Sequence, residues 1–240
     1  MGRRLDGLLA DLCPDPAHPL APALRRWSEA SPPFLKFAQA HAAKIRKKVR
    51  LASSEDEQRD VLAELAVAAL LVADPRCAVG YEPPHPAGQR GPDFEVIFKG
   101  HTTLRIEVTR LRLPGDEADD PVGPGVVRRV ARVICDKIGQ CAPGGANLLV
   151  IVVPPGAVHE ALVPAALRLL DGPVPSAGLR PEGVLEFRRR RQRLGAVALC
   201  SFSAEGQVLA AQLWTSPAAK HPLPPEFARL PVRTADGAER

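Results

Sequence analysis

Residues 92–110, PDFEVIFKGHTTLRIEVTR, form the most informative segment of the chain. Apolar and polar residues alternate on both sides of Lys99-Gly100-His101, which predicts two short strands joined by a turn. On the first strand, one face carries Phe94, Val96 and Phe98, and the other carries Asp93, Glu95 and Ile97. On the return strand, one face carries Leu104, Ile106 and Val108, and the other carries Arg105, Glu107 and Thr109. The segment is therefore predicted to be a hairpin with one apolar face.

Two carboxylates of this hairpin are candidates for a functional site. If the apolar face packs on a helix, Asp93 and Glu107 can meet on the polar face. Two close carboxylates repel each other when no cation lies between them. Such a pair therefore indicates a divalent metal ion or a raised pKa.

The hairpin resembles the PD-(D/E)xK, or restriction-endonuclease-like, nuclease superfamily. The family pattern is Pro-Asp on one strand and Glu-x-Lys on the next. The matching residues here are Pro92-Asp93 and Glu107-Val108-Thr109, so Thr109 stands where the family has lysine. By motif the resemblance covers about residues 55–153, and by the order of predicted elements it extends to about residue 215.

The resemblance implies a metal-dependent phosphodiesterase that acts on DNA and uses Mg²⁺ or Mn²⁺. The implied metal ligands are Asp93, Glu107 and the carbonyl of Val108. Related nucleases often place a glutamate near the metal, on the helix that precedes the core strands. Glu64 has this position, within a helix predicted over residues 55–73, and would assist through water. The alternative is an ordinary glutamate at the border of a buried face.

The helix predicted over residues 126–141 supplies candidates for the positive charge that the family lysine would provide and that Thr109 lacks. Lys137 comes three residues after Ile134 and four after Val133, so it lies on the apolar stripe of this helix. Gln140 comes three residues later. In some members of the superfamily the catalytic lysine comes from a neighbouring element, and Lys137 and Gln140 look like residues of that kind. A cation there would offset charge that develops on the attacked phosphate, and Thr109 would hydrogen-bond the water or the phosphate. The alternative for Lys137 is an amine that extends along the helix edge into water.

Positive charge permits a nucleic-acid partner. The chain has 240 residues, a formal net charge of +5 and a pI of about 9.2. Two basic runs could contact phosphates without regard to base sequence, and the alternative is that each is a solvated helix face. The candidate residues are Lys44, Lys47 and Lys48 in the first run and Arg188, Arg189 and Arg190 in the second.

The cysteines and the apolar runs indicate the compartment. Five cysteines without a CxxC motif predict reduced thiols in a cytoplasmic protein. The first residues lack the apolar run of a signal peptide, and the longest apolar stretches are too short to span a bilayer. We therefore expect no membrane partner, while a homodimer remains open.

The predicted fold class is α/β, with a central mixed sheet flanked by helices on both faces. The apolar run NLLVIVVPP at residues 147–155 predicts a central strand that is covered on both faces. The resemblance implies a restriction-endonuclease-like sheet, and the helices predicted before residue 54 would add a helical N-terminal extension. The expected division is a helical, basic extension over residues 1–53, a nuclease-like core over 54–216 and a proline-rich tail over 217–240.

Two alternatives to an active nuclease remain from the sequence. Thr109 in the lysine position favours a catalytically inactive nuclease fold that binds nucleic acid or a partner protein. The other alternative is an unrelated α/β interaction protein, in which Asp93 only begins a strand.

Overall fold

A mixed sheet of six strands forms the centre of the molecule. The computed structural model describes residues 2–13, 15, 17–84, 91–113, 120, 122–172 and 178–228. The strands follow one another across the sheet in chain order. Neighbouring strands are antiparallel except for two parallel pairs, β3 with β4 and β4 with β5. The strands are β1 (Cys77–Tyr81), β2 (Phe94–Phe98), β3 (Thr102–Arg110), β4 (Ala146–Val152), β5 (Leu194–Phe202) and β6 (Val208–Thr215).

Helices surround this sheet, which confirms the predicted α/β class with a mixed sheet. They are α1 (Gly2–Leu12), α2 (Ala21–Ala30), α3 (Pro32–Ala40), α4 (Ala42–Leu51), α5 (Glu55–Ala73), α6 (Pro124–Ile138), α7 (Leu162–Asp171), α8 (Pro181–Arg190) and α9 (Pro225–Ala228). A short 3-10 turn, Arg191–Arg193, connects α8 to β5. In the described part of the chain, no helix combines the length and the apolar character needed to cross a membrane.

Two hydrophobic clusters lie on opposite faces of the sheet. Along β4, Leu148 and Val150 belong to one cluster, whereas Leu149 and Ile151 belong to the other. Helices α1–α5 and α9 contribute to the first cluster, and α6, α7 and α8 contribute to the second. All seven residues of β4 are buried, as expected for a strand covered on both faces. The prediction of a central strand is therefore confirmed.

The hairpin forms as its alternation predicts. Phe94, pairing with Ile106, is fully buried in the first cluster, whereas Ile97 on the other face of β2 is 40% exposed. The turn uses left-handed backbone at Lys99 and Gly100, with φ of 50° and 77°. The antiparallel register brings the beginning of β2 beside the end of β3, so residues that flank these strands share one edge of the sheet.

A capping box fixes the beginning of α5. The Ser54 hydroxyl accepts a hydrogen bond from the Glu57 amide at 3.2 Å, and the Glu57 carboxylate accepts one from the Ser54 amide at 3.0 Å. These bonds satisfy amides that have no partner within the helix. The helix then runs for 19 residues and places Glu64 near its middle.

The first four helices share the core of the sheet. Phe34 and Ile45 are fully buried in the same cluster as the hairpin. Trp27 donates a hydrogen bond to the Gly206 carbonyl at 3.2 Å, which links α2 to the turn between β5 and β6. Gly206 has a φ of 73°, and a Cβ atom there would lie 2.0 Å from the Trp27 ring, so this contact requires glycine. The boundary at residue 53 stays a prediction, and residues 229–240 of the proposed tail lie outside the described chain.

We expect Phe94→Ala to lower the free energy of unfolding by about 3–5 kcal/mol, because the substitution leaves a cavity in the first cluster. The Phe94 ring stacks on Tyr81 with centroids 5.4 Å apart. Urea denaturation followed by circular dichroism measures the change. Ile97→Ala on the same strand is the control and should cost less than about 1 kcal/mol. Equal losses in the two variants would contradict the assigned faces of β2.

Candidate functional site

A cleft of about 600 Å³ opens where β3 ends, between α5 and α6. Its lining contains every residue that the sequence nominated as a metal ligand. It also contains two of the nominated basic residues. The nominated residues that share the cleft are Glu64, Asp93, Glu107, Val108, Thr109, Lys48 and Lys137.

Asp93 is held at the floor of this cleft by the backbone of β3. Its Oδ2 accepts a hydrogen bond from the Val108 amide at 2.7 Å. Burial raises the pKa of Asp93, although this hydrogen bond, Lys48 and Lys137 act in the opposite direction. The pairing of β2 with β3 therefore fixes one carboxylate beside the strand that carries the other.

Glu107 faces α6 and is 9% exposed. Lys137 donates to its Oε1 at 2.6 Å, and Gln140 donates to the same carboxylate when its amide nitrogen faces it. Lys137 and Gln140 thus lie on the side of α6 that faces Glu107, as the apolar stripe of this helix predicts. The Lys137 amine therefore contacts a carboxylate and is not simply solvated. The hairpin carboxylates thus have a neighbouring cation from α6, the helix on which the sequence placed the candidate Lys137.

A second lysine enters the cleft from α4. Lys48 Nζ lies 2.5 and 2.7 Å from the two Glu64 oxygens and 2.9 Å from Glu82 Oε1. Burial alone would lower the pKa of Lys48. The carboxylates of Glu64 and Glu82 outweigh burial and raise this pKa above its ordinary value, so the ammonium stays charged. Burial and the charge of Asp93 raise the pKa of Glu64 to about 7 against the effect of Lys48. Glu64 therefore changes its charge near neutral pH.

Most of the predicted phosphate-binding residues also make internal contacts. Lys44 donates to the carbonyls of Tyr81 and Glu82 at 2.7 and 2.8 Å. Arg188 donates to the carbonyls of Leu170, at 3.0 Å, and Gly172, and Arg190 donates to that of Gly139 at 3.0 Å. By contrast, Lys47 and Arg189 are exposed. Contact of these runs with DNA stays a prediction.

Sequence reasoning missed several charged residues in the cleft and beside it. Glu82 directly follows β1 and belongs to no sequence motif. Only its position at the end of a strand could have indicated that it lies near the site. Arg110 contacts Asp60 at 2.8 Å and Asp56 at 2.5 Å, and Arg112 contacts Asp60 at 2.7 Å. These ion pairs join the first turns of α5 to the end of β3 and so fix one wall of the cleft.

The donor set fits a hard cation held by few protein ligands. Mg²⁺ is typically bound through one or two carboxylates and keeps several waters. Asp93, Glu107 and the Val108 carbonyl offer oxygen ligands of this kind. Glu64 is already engaged by Lys48, so it does not complete a set of three. Indeed, the described residues include no group of three acidic, histidine or cysteine side chains that could hold a metal ion.

No protein-family model, curated protein or solved structure matches this chain. The resemblance to the PD-(D/E)xK superfamily therefore depends on the motif residues and the order of the elements. The chemistry of the cleft has to be argued from its own side chains.

We expect Lys48→Met to destabilise the fold more at high pH than at low pH. At about pH 8.5 the Glu64 carboxylate is ionised and would be left buried without its partner, which costs about 2–4 kcal/mol. At about pH 5.5 Glu64 is protonated in both proteins, because its pKa is near 7, and the loss should fall to about 1 kcal/mol. Urea denaturation at the two pH values measures the difference.

The exposed neighbour Lys47 offers the control for this experiment. Lys47→Met should change the unfolding free energy by less than about 0.5 kcal/mol at either pH. A Lys48→Met loss that is the same at both pH values would show that Glu64 does not titrate as described.

Proposed function

We propose that this chain hydrolyses phosphodiester bonds of DNA in a metal-dependent reaction. The observation that carries the proposal is the meeting of Asp93, Glu107 and the Val108 backbone in one open cleft that also holds two lysines. A structural ion pair needs no cleft, whereas a substrate does. Perturbed carboxylates in a cleft are typical of functional sites.

Asp93, Glu107 and the Val108 carbonyl would hold Mg²⁺ or Mn²⁺. Such an ion, when bound, polarises a phosphate oxygen and lowers the pKa of a bound water. The hydrogen bond from the Val108 amide orients Asp93. Glu64 would act through water, because Lys48 already contacts both of its oxygens.

The positively charged side chains of the cleft would stabilise negative charge on the attacked phosphate. Lys137 projects from α6 beside Glu107, and a fixed ammonium there offsets the negative charge that develops during attack. Thr109 occupies the position of the family lysine and lines the same cleft. Its hydroxyl can hydrogen-bond water or phosphate, but it cannot supply positive charge.

The substrate class follows from charge. The chain is basic, with a formal net charge of +5, and arginines line the cleft from the end of β3 and from α6. Exposed Lys47 and Arg189 would add contacts to the DNA backbone, which is bound mainly through its phosphates. The element order from α5 through β4 agrees with the order that the resemblance implies. The restriction-endonuclease-like fold and a homodimer belong to this proposal.

A second candidate is an inactive nuclease fold that binds nucleic acid or a partner protein. Two observations favour it: threonine stands in the lysine position, and both lysines of the cleft are paired with carboxylates. An inactive protein would still bind DNA through its basic residues, with an affinity that falls as salt increases.

We expect the purified protein to nick supercoiled plasmid with Mg²⁺ or Mn²⁺ and not with EDTA. Asp93→Asn and Glu107→Gln should each reduce the rate about 100-fold or more, because each removes a charged oxygen ligand. Lys137→Ala should also reduce the rate about 100-fold if its ammonium stabilises the transition state. Agarose gels of plasmid and of single-stranded DNA measure the rates.

Glu95→Gln is the matched control, because Glu95 lies on β2 two residues from Asp93 and is absent from the cleft lining. Its cleavage rate should equal that of the unaltered protein. Salt-sensitive DNA binding without cleavage would favour the inactive binder. Cleavage that survives Asp93→Asn and Glu107→Gln together would reject the site.

A further inference from the structure

We propose that β6 is an interface between two copies of this chain, in which the two β6 strands pair antiparallel about a two-fold axis at Gln212. The pairing would join two six-stranded sheets into one continuous sheet. It assigns a surface to the homodimer and does not depend on the cleavage activity, because the described lining of the cleft includes nothing from β6.

Strand β6 lies at an edge of the sheet and is paired on one side. It bonds to β5, and in the described part of the chain no strand pairs with its other side. The backbone N–H and C=O groups on the open side of an edge strand lack partners within the sheet. Such a row of donors and acceptors is a template for a further strand.

The composition of β6 differs from that of the opposite edge. Proteins usually protect sheet edges with short strands, charged side chains or proline. Strand β1, at the other edge, has five residues and lies between Arg76 and the sequence Glu82-Pro83-Pro84. Strand β6 has eight residues, VLAAQLWT, which include neither a charged residue nor a proline. We therefore expect another chain to cover this edge.

Apolar surface continues from β6 onto the neighbouring face of the sheet. A groove of about 1070 Å³ opens between α5, α9 and strands β4–β6. All of β5 except Ala198 and Phe202 is buried, whereas no residue of β6 is, and Leu209 is 44% exposed. Contiguous exposed apolar surface of this kind marks an interaction site. The apolar lining of the groove includes Leu70, Leu71, Leu148, Val150, Ala211 and Leu213.

The faces of β6 limit the register of such a pairing. Trp214 packs against the second cluster, whereas Ala211 and Leu213 pack against the first. Residues directly opposite each other in an antiparallel pair share a face, so the two-fold axis has to pass through a residue. Leu209 has no partner on β5, where the register shifts, so the regular part of β6 is residues 210–215. An axis at Gln212 keeps the pairing within this regular part.

Pairing about Gln212 matches small side chains with large ones. Ala210 would lie opposite Trp214 of the second copy, and Ala211 would lie opposite its Leu213. The second copy's Leu213 would thereby extend the apolar lining of the groove beside Ala211. The two Gln212 amides would meet at the axis, where each can both donate and accept a hydrogen bond. The strand is therefore complementary to itself, as an isologous two-fold interface requires.

The test is the mass of the full chain in sedimentation equilibrium at about 1–200 μM. The mass should rise from 25.7 kDa toward twice that value with a dissociation constant on the order of micromolar, because an interface of this kind is small. Gln212→Lys and Gln212→Glu each place like charges opposite each other at the axis. Each should raise the dissociation constant about 10-fold or more. An equal mixture of the two variants should associate again, because lysine then meets glutamate, and this recovery also shows that both variants fold.

Ala78→Lys is the control, because Ala78 is exposed on β1 at the other edge of the sheet. It should associate like the unaltered protein. A monomer over the whole concentration range would overturn the inference, as would a dimer that is unaffected by both Gln212 variants. A mixture that associates no better than either variant alone would reject the axis at Gln212. The experiment measures mass and not cleavage, so its failure would leave the proposed hydrolysis intact.

Discussion

Repulsion between buried like charges is the constraint on which the cleft depends. Pairing of β2 with β3 brings Asp93 close to Glu107, and α5 adds Glu64 from the other face of the sheet. Such carboxylates cannot stay ionised and close together in a half-buried place without counter-charges. The fold supplies these from two separate helices, with Lys48 from α4 and Lys137 from α6. Both helices are anchored in a hydrophobic cluster, so the packing of each face positions one counter-charge.

The N-terminal helices consequently contribute a charge to the cleft as well as apolar residues to the core. Helix α4 carries a basic run for which the sequence predicts phosphate contact or a solvated face, yet Lys44 and Lys48 turn inward to the end of β1. Only residues such as Lys47 remain exposed. A basic run in sequence thus divides between structural contacts, site contacts and solvent, according to which side of the helix faces the sheet.

Short-range features of this molecule were predictable, and long-range contacts were not. Alternation is a local property, so the faces of β2 and β3 could be predicted, as could the capping box of α5 and the buried strand β4. The side of α6 on which Lys137 lies could also be predicted, because Lys137 lies on the apolar stripe of its own helix. The contact of Lys48 with Glu82 and the ion pairs of Arg110 with α5 join segments far apart in the chain. No periodicity within one element encodes them, since they depend on how separate elements pack.

The sheet topology also has a consequence for the order of folding. Asp93 and Val108 are 15 positions apart and belong to one hairpin, whereas the contact of Lys137 with Glu107 spans 30 positions and needs α6 to pack. Local pairings form early, and parallel pairings such as β3 with β4 form later because a longer loop must close. The hairpin is therefore assembled before Lys137 arrives, whereas Lys48 and Glu64 are only 16 positions apart and can meet as early as the hairpin forms. Until α6 packs, dissolved cations can screen the charge of Glu107, so the ionic composition of the medium should influence the rate of folding.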